Sequence, residues 1–470
     1  MSEATFLNRT LRQFRRVLRL AGSGEVSLRE RVGADLPDAD IPAIKNYVDA
    51  CLEGRGGEVS ASARAAELGE VYLTLSQQGR RRFLTLLARE YDVPANTVAP
   101  LVEAWQNAPD ATTRWQVQDQ LRHALIPSRV TLLRQFTALS AGVKFLVDMR
   151  AELTQWSRGD KPLAALNRDL RELLAEWFNV GFLDLRQMTW NTSAALLEKL
   201  IVYEAVHAIR SWDDLKNRLG EDRRVYAFFH PGMPNEPLIF VQVALVRDMS
   251  GNIQTLLDED APVSDPREAD CAIFYSISNC QAGLAGVSFG NFLIKRVAAA
   301  LARDLPNLKI FATLSPVPGF SAWLRAQTEQ PGYLWDEGEV PEALRDHCGH
   351  GDWNKAIAHA LDNTEWAGDE PAAQALRPVL AKACARYLLQ AKRGNQALDR
   401  VAHFHLTNGA RVERLNWLAD TSEQGMKRSA GLMVNYQYRL DEVDENHEAY
   451  SGEGRIAAAA PVSRLLRGAR

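Results

Sequence analysis

Cysteine is scarce and never paired. The chain's five thiols, Cys51, Cys271, Cys280, Cys348 and Cys384, are scattered over 470 residues without a Cys-x-x-Cys spacing. That excludes a disulfide framework and a Cys-rich zinc site, and points to reduced thiols in a cytosolic setting. No apolar run reaches the ~18 residues that a membrane-spanning helix needs. A large excess of one charge is missing too. The formal net charge is -4, whereas a general nucleic-acid binder is basic overall. The last four residues are Arg-Gly-Ala-Arg, so a peroxisomal Ser-Lys-Leu ending is absent. At the other end, Met1 to Gly22 carries Arg9, Arg12, Arg15, Arg16 and Arg19 among Phe6, Leu7, Leu11, Phe14 and Leu18. Such a segment suits a mitochondrial presequence or an ordinary first helix, and Glu3 favours the helix.

What remains is an ordinary globular composition, 46% hydrophobic and 24% charged, long enough for two domains. From Leu28 to Val180 the apolar spacing is helical. Ser60 to Tyr91 is rich in Ala, Leu, Arg and Glu and closes at Val93-Pro94, because proline disfavours a helical residue before it. Further helices are expected over Ala99 to Trp105, Ala111 to Leu125, Ser128 to Leu139 and Pro162 to Phe178. This part reads as a helical bundle without a chemical constellation. After Gly181 the pattern changes. Ser193 to Ile209 and Trp212 to Leu219 are helical. Val225 to His230 and Leu238 to Val246 form a hairpin around Pro231 to Pro237. Ala272 to Ile277, Leu308 to Leu314 and Gly431 to Leu440 are strands; Gly286 to Leu301 and Pro341 to Arg393 are helical. The plan is α plus α/β: a helical domain over 1–180, then a mixed α/β domain over 181–470.

Between the strand ending near Ile277 and the helix expected near Val287 lies Gln281-Ala-Gly-Leu-Ala-Gly286. Strand, glycine-containing loop and helix together make an anion site, because free N–H groups and the helix dipole both point positive there. A plain turn is the alternative. Neither the Rossmann Gly-x-Gly-x-x-Gly nor the Walker ending is spelled in this loop. The loop resembles the pyrophosphate loop of the GNAT acyltransferase fold, Gln/Arg-x-x-Gly-x-Gly/Ala. Gln281 and Gly286 fit its ends, but Leu284 occupies the place of the middle glycine. Lys295 and Arg296 could steer a polyphosphate or simply face solvent.

Strand Leu308 to Leu314 runs into Ser315-Pro-Val-Pro-Gly-Phe320, where two prolines fix the backbone behind the serine. At a strand's C-terminal end such a serine stands where α/β sheets bind ligands; a serine closing a strand before a turn is the structural alternative. Farther on lies Val401-Ala-His-Phe-His-Leu-Thr-Asn-Gly-Ala410. On a strand-like segment His403 and His405 would share one face. A metal half-site is the weaker alternative, since no carboxylate or cysteine stands nearby at ligand spacing. His347, Cys348 and His350 read as a surface cluster. A serine–histidine pair serves nucleophilic acyl chemistry, or serves without a covalent step, with serine orienting and histidine moving a proton. Gly-x-Ser-x-Gly is missing around Ser315, and the residues alone leave both versions open.

Taken together, the blocks Phe274 to Ser278, Gly283 to Val287, Phe292 to Val297, Leu314 to Phe320, Phe404 to Ala410, Asn416-Trp417, Ala419-Asp420 and Gly431 to Tyr438 resemble the malonyl-CoA decarboxylase family in order and spacing. The helical first part is similar in type to that family's N-terminal domain. The resemblance implies a GNAT-like catalytic domain over 181–470, with a helical domain over 1–180 for oligomerisation or support. It implies Ser315 as catalytic serine and His405 as proton donor. It implies a malonyl-CoA site lined by Ala285, Gly286, Val287, Ser288, Phe289, Gly290 and Asn291, with Tyr438 as an additional pocket residue. His403 has no expected counterpart. Some relatives carry a glutamate where this chain has Ser288, so no role for that glutamate transfers.

The implied reaction converts malonyl-CoA to acetyl-CoA and CO2, a carbon–carbon lyase step in fatty acid metabolism. The substrate's own thioester is the electron sink, so no metal or prosthetic group is expected, and coenzyme A is part of the substrate. The expected partners are malonyl-CoA and acetyl-CoA, without nucleic acid or membrane, in a homo-oligomer, tetramer or dimer. The expected location is cytoplasmic, ahead of the mitochondrial matrix. The rivals are a GNAT-type acetyl-CoA-dependent acyltransferase, a non-catalytic coenzyme A sensor and a serine thioesterase.

Overall fold

The structure, a computed structural model, describes residues 28–55, 57–287, 293–330, 340–348 and 351–466, without the side chains of residues 58, 180, 347 and 348. Met1 to Gly22, the chain's last four residues and the side chains of the His347–Cys348–His350 cluster therefore lie outside the description.

Contacts divide the chain into two units. The first holds Met1–Leu183 with two returning segments, His230–Glu236 and Gln281–Ser288; the second holds Asp184–Phe229, Pro237–Cys280 and Phe289–Arg470. The first unit is helical, as its apolar periodicity requires. Helix Lys161–Trp177 shows why: Leu163, Leu166, Leu170, Leu173 and Leu174 fall three or four residues apart and are all buried. Each such leucine contributes about 1.5–3 kcal/mol of apolar burial. Asp160 caps the helix by accepting from Leu163 N–H, and Pro162 occupies its first turn, where its missing N–H is not needed. The continuous stretch Ser60 to Tyr91 is in fact two helices, Glu58–Thr74 and Gln77–Glu90. Ser76 starts the second one by accepting from Gly79 N–H. Helices Ile41–Leu52 and Gly142–Trp156 add to those the sequence suggested. The pair Ala95–Gln106 and Ala111–Ala124 buries none of its own residues, and Trp115 there is 74% exposed.

The returning segments fasten onto this unit through close contacts. Gly283 has no room for a side chain, since a Cβ would stand 1.7 Å from Val147 O. His230 Nε2 lies 3.1 Å from Trp177 O, and its ring packs 4.6 Å from that of Phe178.

The second unit is built on an eight-stranded sheet with a separate small hairpin. Its strands are β1 (Asp184–Met188), β2 (Arg223–Phe229), β3 (Ile239–Val246), β4 (Cys271–Asn279), β5 (Ile310–Thr313), β6 (Ser315–Pro316), β7 (Lys392–Arg393), β8 (Gln396–Ala397), β9 (Arg411–Asn416) and β10 (Met433–Gln437). The sheet order is β1-β2-β3-β4-β5-β10-β6, with β9 on β10, while β7 and β8 pair with each other. β1 to β4 form an antiparallel meander; β5 joins β4 in parallel, and β10 runs antiparallel to β5, β6 and β9. β2, β3 and β4 are nearly continuous buried runs of aromatic and β-branched residues, covered on both faces. The α plus mixed α/β plan is the one expected.

Three local expectations are corrected. The helix begun at Ala194 ends at Tyr203 rather than running to Ile209. There the Glu204 carboxylate turns back to accept from Val206 N–H and His207 N–H and from Ser276 Oγ, which competes with helical pairing. β1 was not anticipated, because Asp184-Leu-Arg-Gln-Met has too few apolar residues to alternate. Past the glycine loop, helix Leu293–Asp304 begins later than Gly286, whose φ of +73° is not helical. Among the described residues no helix is long and apolar enough to cross a membrane.

Candidate active site

Ser315 stands inside the sheet rather than beyond the end of its strand. β5 stops at Thr313, Leu314 interrupts it, and Ser315 and Pro316 pair again with Val434 and Met433 of β10. Side chains hold the interruption in shape: Asn435 Nδ2 donates to Thr313 O at 2.7 Å, and Tyr436 N–H donates to Thr313 Oγ1 at 3.1 Å. Beyond Pro318 the chain passes against Tyr387 so closely that a Cβ at Gly319 would meet Tyr387 Oη at 2.2 Å.

His405 is carried by a helix, Arg400–Thr407, and not by a strand-like segment. Successive residues of a helix turn by about 100°, so His403 and His405 point to nearly opposite faces instead of sharing one. His403 Nδ1 lies 2.8 Å from Tyr450 Oη, while His405 is 2% exposed. Asp399 explains the local fold. Its Oδ1 caps the helix, accepting from Val401 N–H and Ala402 N–H at 2.9 Å each. Its Oδ2 accepts from Gly319 N–H at 3.4 Å and Tyr387 Oη at 3.3 Å. One buried carboxyl thus ties the serine's exit loop to the histidine's helix. Burial pushes that carboxyl upward from the usual aspartate range.

The two segments bring Ser315 Oγ to 3.1 Å from His405 Nε2, with Ser315 6% exposed. Ser315 Oγ also donates to Thr313 Oγ1 at 2.8 Å. On the other side of the imidazole, Nδ1 lies 2.7 Å from Tyr438 Oη. Tyr436 stacks on the ring, centroids 4.6 Å apart at 24°, and its own hydroxyl has no hydrogen-bond partner among the described residues. Burial pushes the His405 imidazole down to about 3 and pushes the Tyr438 phenol well up. The imidazole is therefore neutral at ordinary pH, and the phenol keeps its proton.

These directions select one consistent chain of donors. Tyr438 donates to Nδ1, so the imidazole proton sits on Nε2 and points at Ser315, whose own proton goes to Thr313. The reverse tautomer would make the phenol an acceptor and leave its O–H without a partner. No carboxylate contacts the His405 ring among the described residues, which departs from a nucleophilic triad. The arrangement can hold a proton at Nε2 and offer a hydroxyl beside it.

Of the other expected site residues, Tyr438 joins the serine–histidine pair directly. Ala285 and Gly286 are exposed at the tip of the glycine loop, and Val287 is buried. Ser288, Phe289, Gly290 and Asn291 lie outside the described residues. Lys295 Nζ pairs with Asp444 at 2.8 Å, and the Arg296 guanidinium lies 5.5 Å from the Phe228 ring centroid. Among the described residues no group of three or more His, Cys, Asp or Glu side chains is placed to hold a metal. Thr313, Asp399 and Tyr436 were missed from sequence. Asp399 had a legible signal, an Asp just before an apolar helical run.

A helical unit and a mixed-sheet unit carrying a buried serine–histidine–tyrosine hydrogen-bond chain define a two-part α plus α/β protein. The family models agree in both parts: the malonyl-CoA decarboxylase C-terminal domain matches residues 181–470 and the N-terminal domain matches 91–178. The protein of Anser anser anser named "Malonyl-CoA decarboxylase, mitochondrial" is 36% identical over 479 residues, covering 96% of this chain and 93% of that one. That of Rattus norvegicus with the same name is 37% identical and covers 86% of each. The crystal structure of malonyl-CoA decarboxylase from Rhodopseudomonas palustris superposes with a TM-score of 0.81 at 40% identity, covering 90% of this chain and 99% of that one. The chain belongs to the malonyl-CoA decarboxylase family.

Proposed function

We propose that this chain converts malonyl-CoA to acetyl-CoA and CO2 with Ser315 and His405 as its catalytic residues. The observation that carries the reading is the buried 3.1 Å contact between Ser315 Oγ and His405 Nε2. Breaking the bond to the malonyl carboxylate sends its electron pair onto the thioester oxygen as an enolate, and CO2 leaves. Ser315 hydrogen-bonds the malonyl carboxylate or the enolate. His405 gives its Nε2 proton to the α-carbon while Tyr438 keeps its own and holds Nδ1 by its hydrogen bond, and solvent returns a proton to the imidazole as product leaves. A dry site strengthens each of these interactions. The substrate's thioester supplies the electron sink, so the reading calls for no metal or prosthetic group.

Ala285, Gly286 and Val287, with Ser288 to Asn291, take the coenzyme A diphosphate in this reading, as in a GNAT-like domain. The test is product analysis by mass spectrometry with malonyl-CoA and no acceptor. Acetyl-CoA and CO2 in equal amounts are expected. In a parallel assay with acetyl-CoA and an added amine, acetylation of the amine together with no CO2 release from malonyl-CoA would point to an acyltransferase, while free malonate with coenzyme A would point to a thioesterase.

The proposal extends to assembly. Trp115 of helix Ala111–Ala124 and Leu125 and Ile126 just beyond it are exposed, apolar side chains that a second copy of the helical unit would cover. Light scattering is expected to give a dimer or tetramer, with Trp115→Glu shifted toward monomer; a monomeric wild type would remove this part. Cytoplasmic residence belongs to the same proposal. The relatives named above as mitochondrial make fractionation of the native host the deciding measurement.

A further inference from the structure

The five carbonyls from Gln281 to Ala285 can be accounted for one by one. Within Gln281 to Val287 the turn itself pairs three: Leu284 N–H donates to Gln281 O, Ala285 N–H to Ala282 O and Val287 N–H to Leu284 O. Of the five carbonyls from Gln281 to Ala285, two are left over, those of Gly283 and Ala285. Both are taken by one side chain from helix Gly142–Trp156. Arg150 Nη1 donates to Gly283 O at 2.6 Å and Arg150 Nη2 donates to Ala285 O at 2.8 Å. The planar guanidinium fork suits two parallel acceptors of this kind. Gly283 permits the approach, since any side chain there would strike Val147 O.

The consequence is polar. All five consecutive carbonyls from Gln281 to Ala285 are engaged within the loop or by Arg150. At the exposed tip the Gly286 N–H makes no hydrogen bond among the described residues. The cation behind the loop is only 4% exposed, and no carboxylate pairs with it among the described residues. A buried charge held only by carbonyl dipoles is costly, and an anion bound at the loop relieves that cost. Burial also lowers the Arg150 pKa from its very high ordinary value, and a guanidinium in a protein keeps its charge.

We propose that Arg150 is a positioning residue of the phosphate-binding loop: it orients the peptides of Gln281 to Gly286 and supplies the positive charge behind them for the substrate's diphosphate. The helical part of the chain then contributes to substrate recognition, although its sequence shows no chemical constellation. This rests on the reading that the loop takes the coenzyme A diphosphate.

The experiment compares malonyl-CoA with malonyl-pantetheine, which keeps the reacting thioester but lacks the nucleotide diphosphate. CO2 release is measured for the full-length wild type, Arg150→Met and Arg150→Lys. Wild type should prefer malonyl-CoA in kcat/KM. Arg150→Met should cut that preference by about ten-fold or more, the scale of a charge-assisted contact, through a raised KM. Arg150→Lys, which keeps the charge without the fork, should fall in between. Equal losses on both substrates, leaving the preference unchanged, would overturn the proposal. Should Arg150→Met not fold, Arg150→Lys alone decides by the same ratio. If wild type releases no CO2 from either compound, the proposed reaction fails separately. Calorimetric binding of coenzyme A against pantetheine then decides the role of Arg150 by the same loss or retention of preference.

Discussion

Ser315→Ala and His405→Ala should each lower kcat by about 10²–10⁴-fold, the range for removing an acid–base group. KM for malonyl-CoA should move far less, because neither side chain is asked to hold the nucleotide. The double variant should be little worse than the more damaged single one. Serine and histidine here share one chain of protons from Tyr438 to Thr313, and residues acting as a unit are non-additive. Removing the imidazole also opens a cavity beneath Tyr436 and strands the Tyr438 hydroxyl, so His405→Gln is the better-folded companion. Steady-state CO2 release, with a thermal melt on each variant, is the measurement. Near-normal turnover in both Ser315→Ala and His405→Gln would refute the assignment.

How much of this was legible in the sequence depends on the range of the interactions involved. Helix Lys161–Trp177 was legible because a local leucine repeat, an Asp cap and a first-turn proline all point the same way. The β2–β3 hairpin was legible for the same reason, with a turn-forming segment between two buried apolar runs. His403 and His405 misled, because two residues apart looks like strand alternation when the flanking residues are apolar. The Asp399 cap, and Ala402 with Leu406 one helical turn apart, carry the correct period. Ser315 was read as standing at the C-terminal end of strand Leu308 to Leu314. Its return to sheet pairing after Leu314 was not, because that pairing is made with Val434 and Met433, more than a hundred residues away. Asp399 joining Gly319 to the histidine's helix, and Arg150 joining two loop carbonyls, are likewise contacts over long stretches of chain. No local pattern encodes their geometry.

Acid should destabilise the wild type more than His405→Gln. In the folded protein burial pushes His405 down to about 3, while in the unfolded chain an imidazole titrates near 6.5. Between those values the unfolded state binds a proton that the folded state refuses, so stability rises with pH and is lost as pH falls through that window. The slope approaches ~1.4 kcal/mol per pH unit, so lowering pH from 7.5 to 5.0 should cost wild type about 2 kcal/mol more than the glutamine variant. Comparing the two chains isolates this group. Half-buried His207 and His403, also held low, act in the same direction, while buried Asp399, held high, acts in the opposite one, and all three are present in both proteins. Urea unfolding at the two pH values gives the difference directly, and parallel acid losses in the two proteins would contradict a neutral buried imidazole. The same neutrality bears on catalysis. If His405 gives up an Nε2 proton it holds as a neutral ring, kcat should show no titration near 6.5, and a bell centred there would require an imidazolium that this environment does not favour.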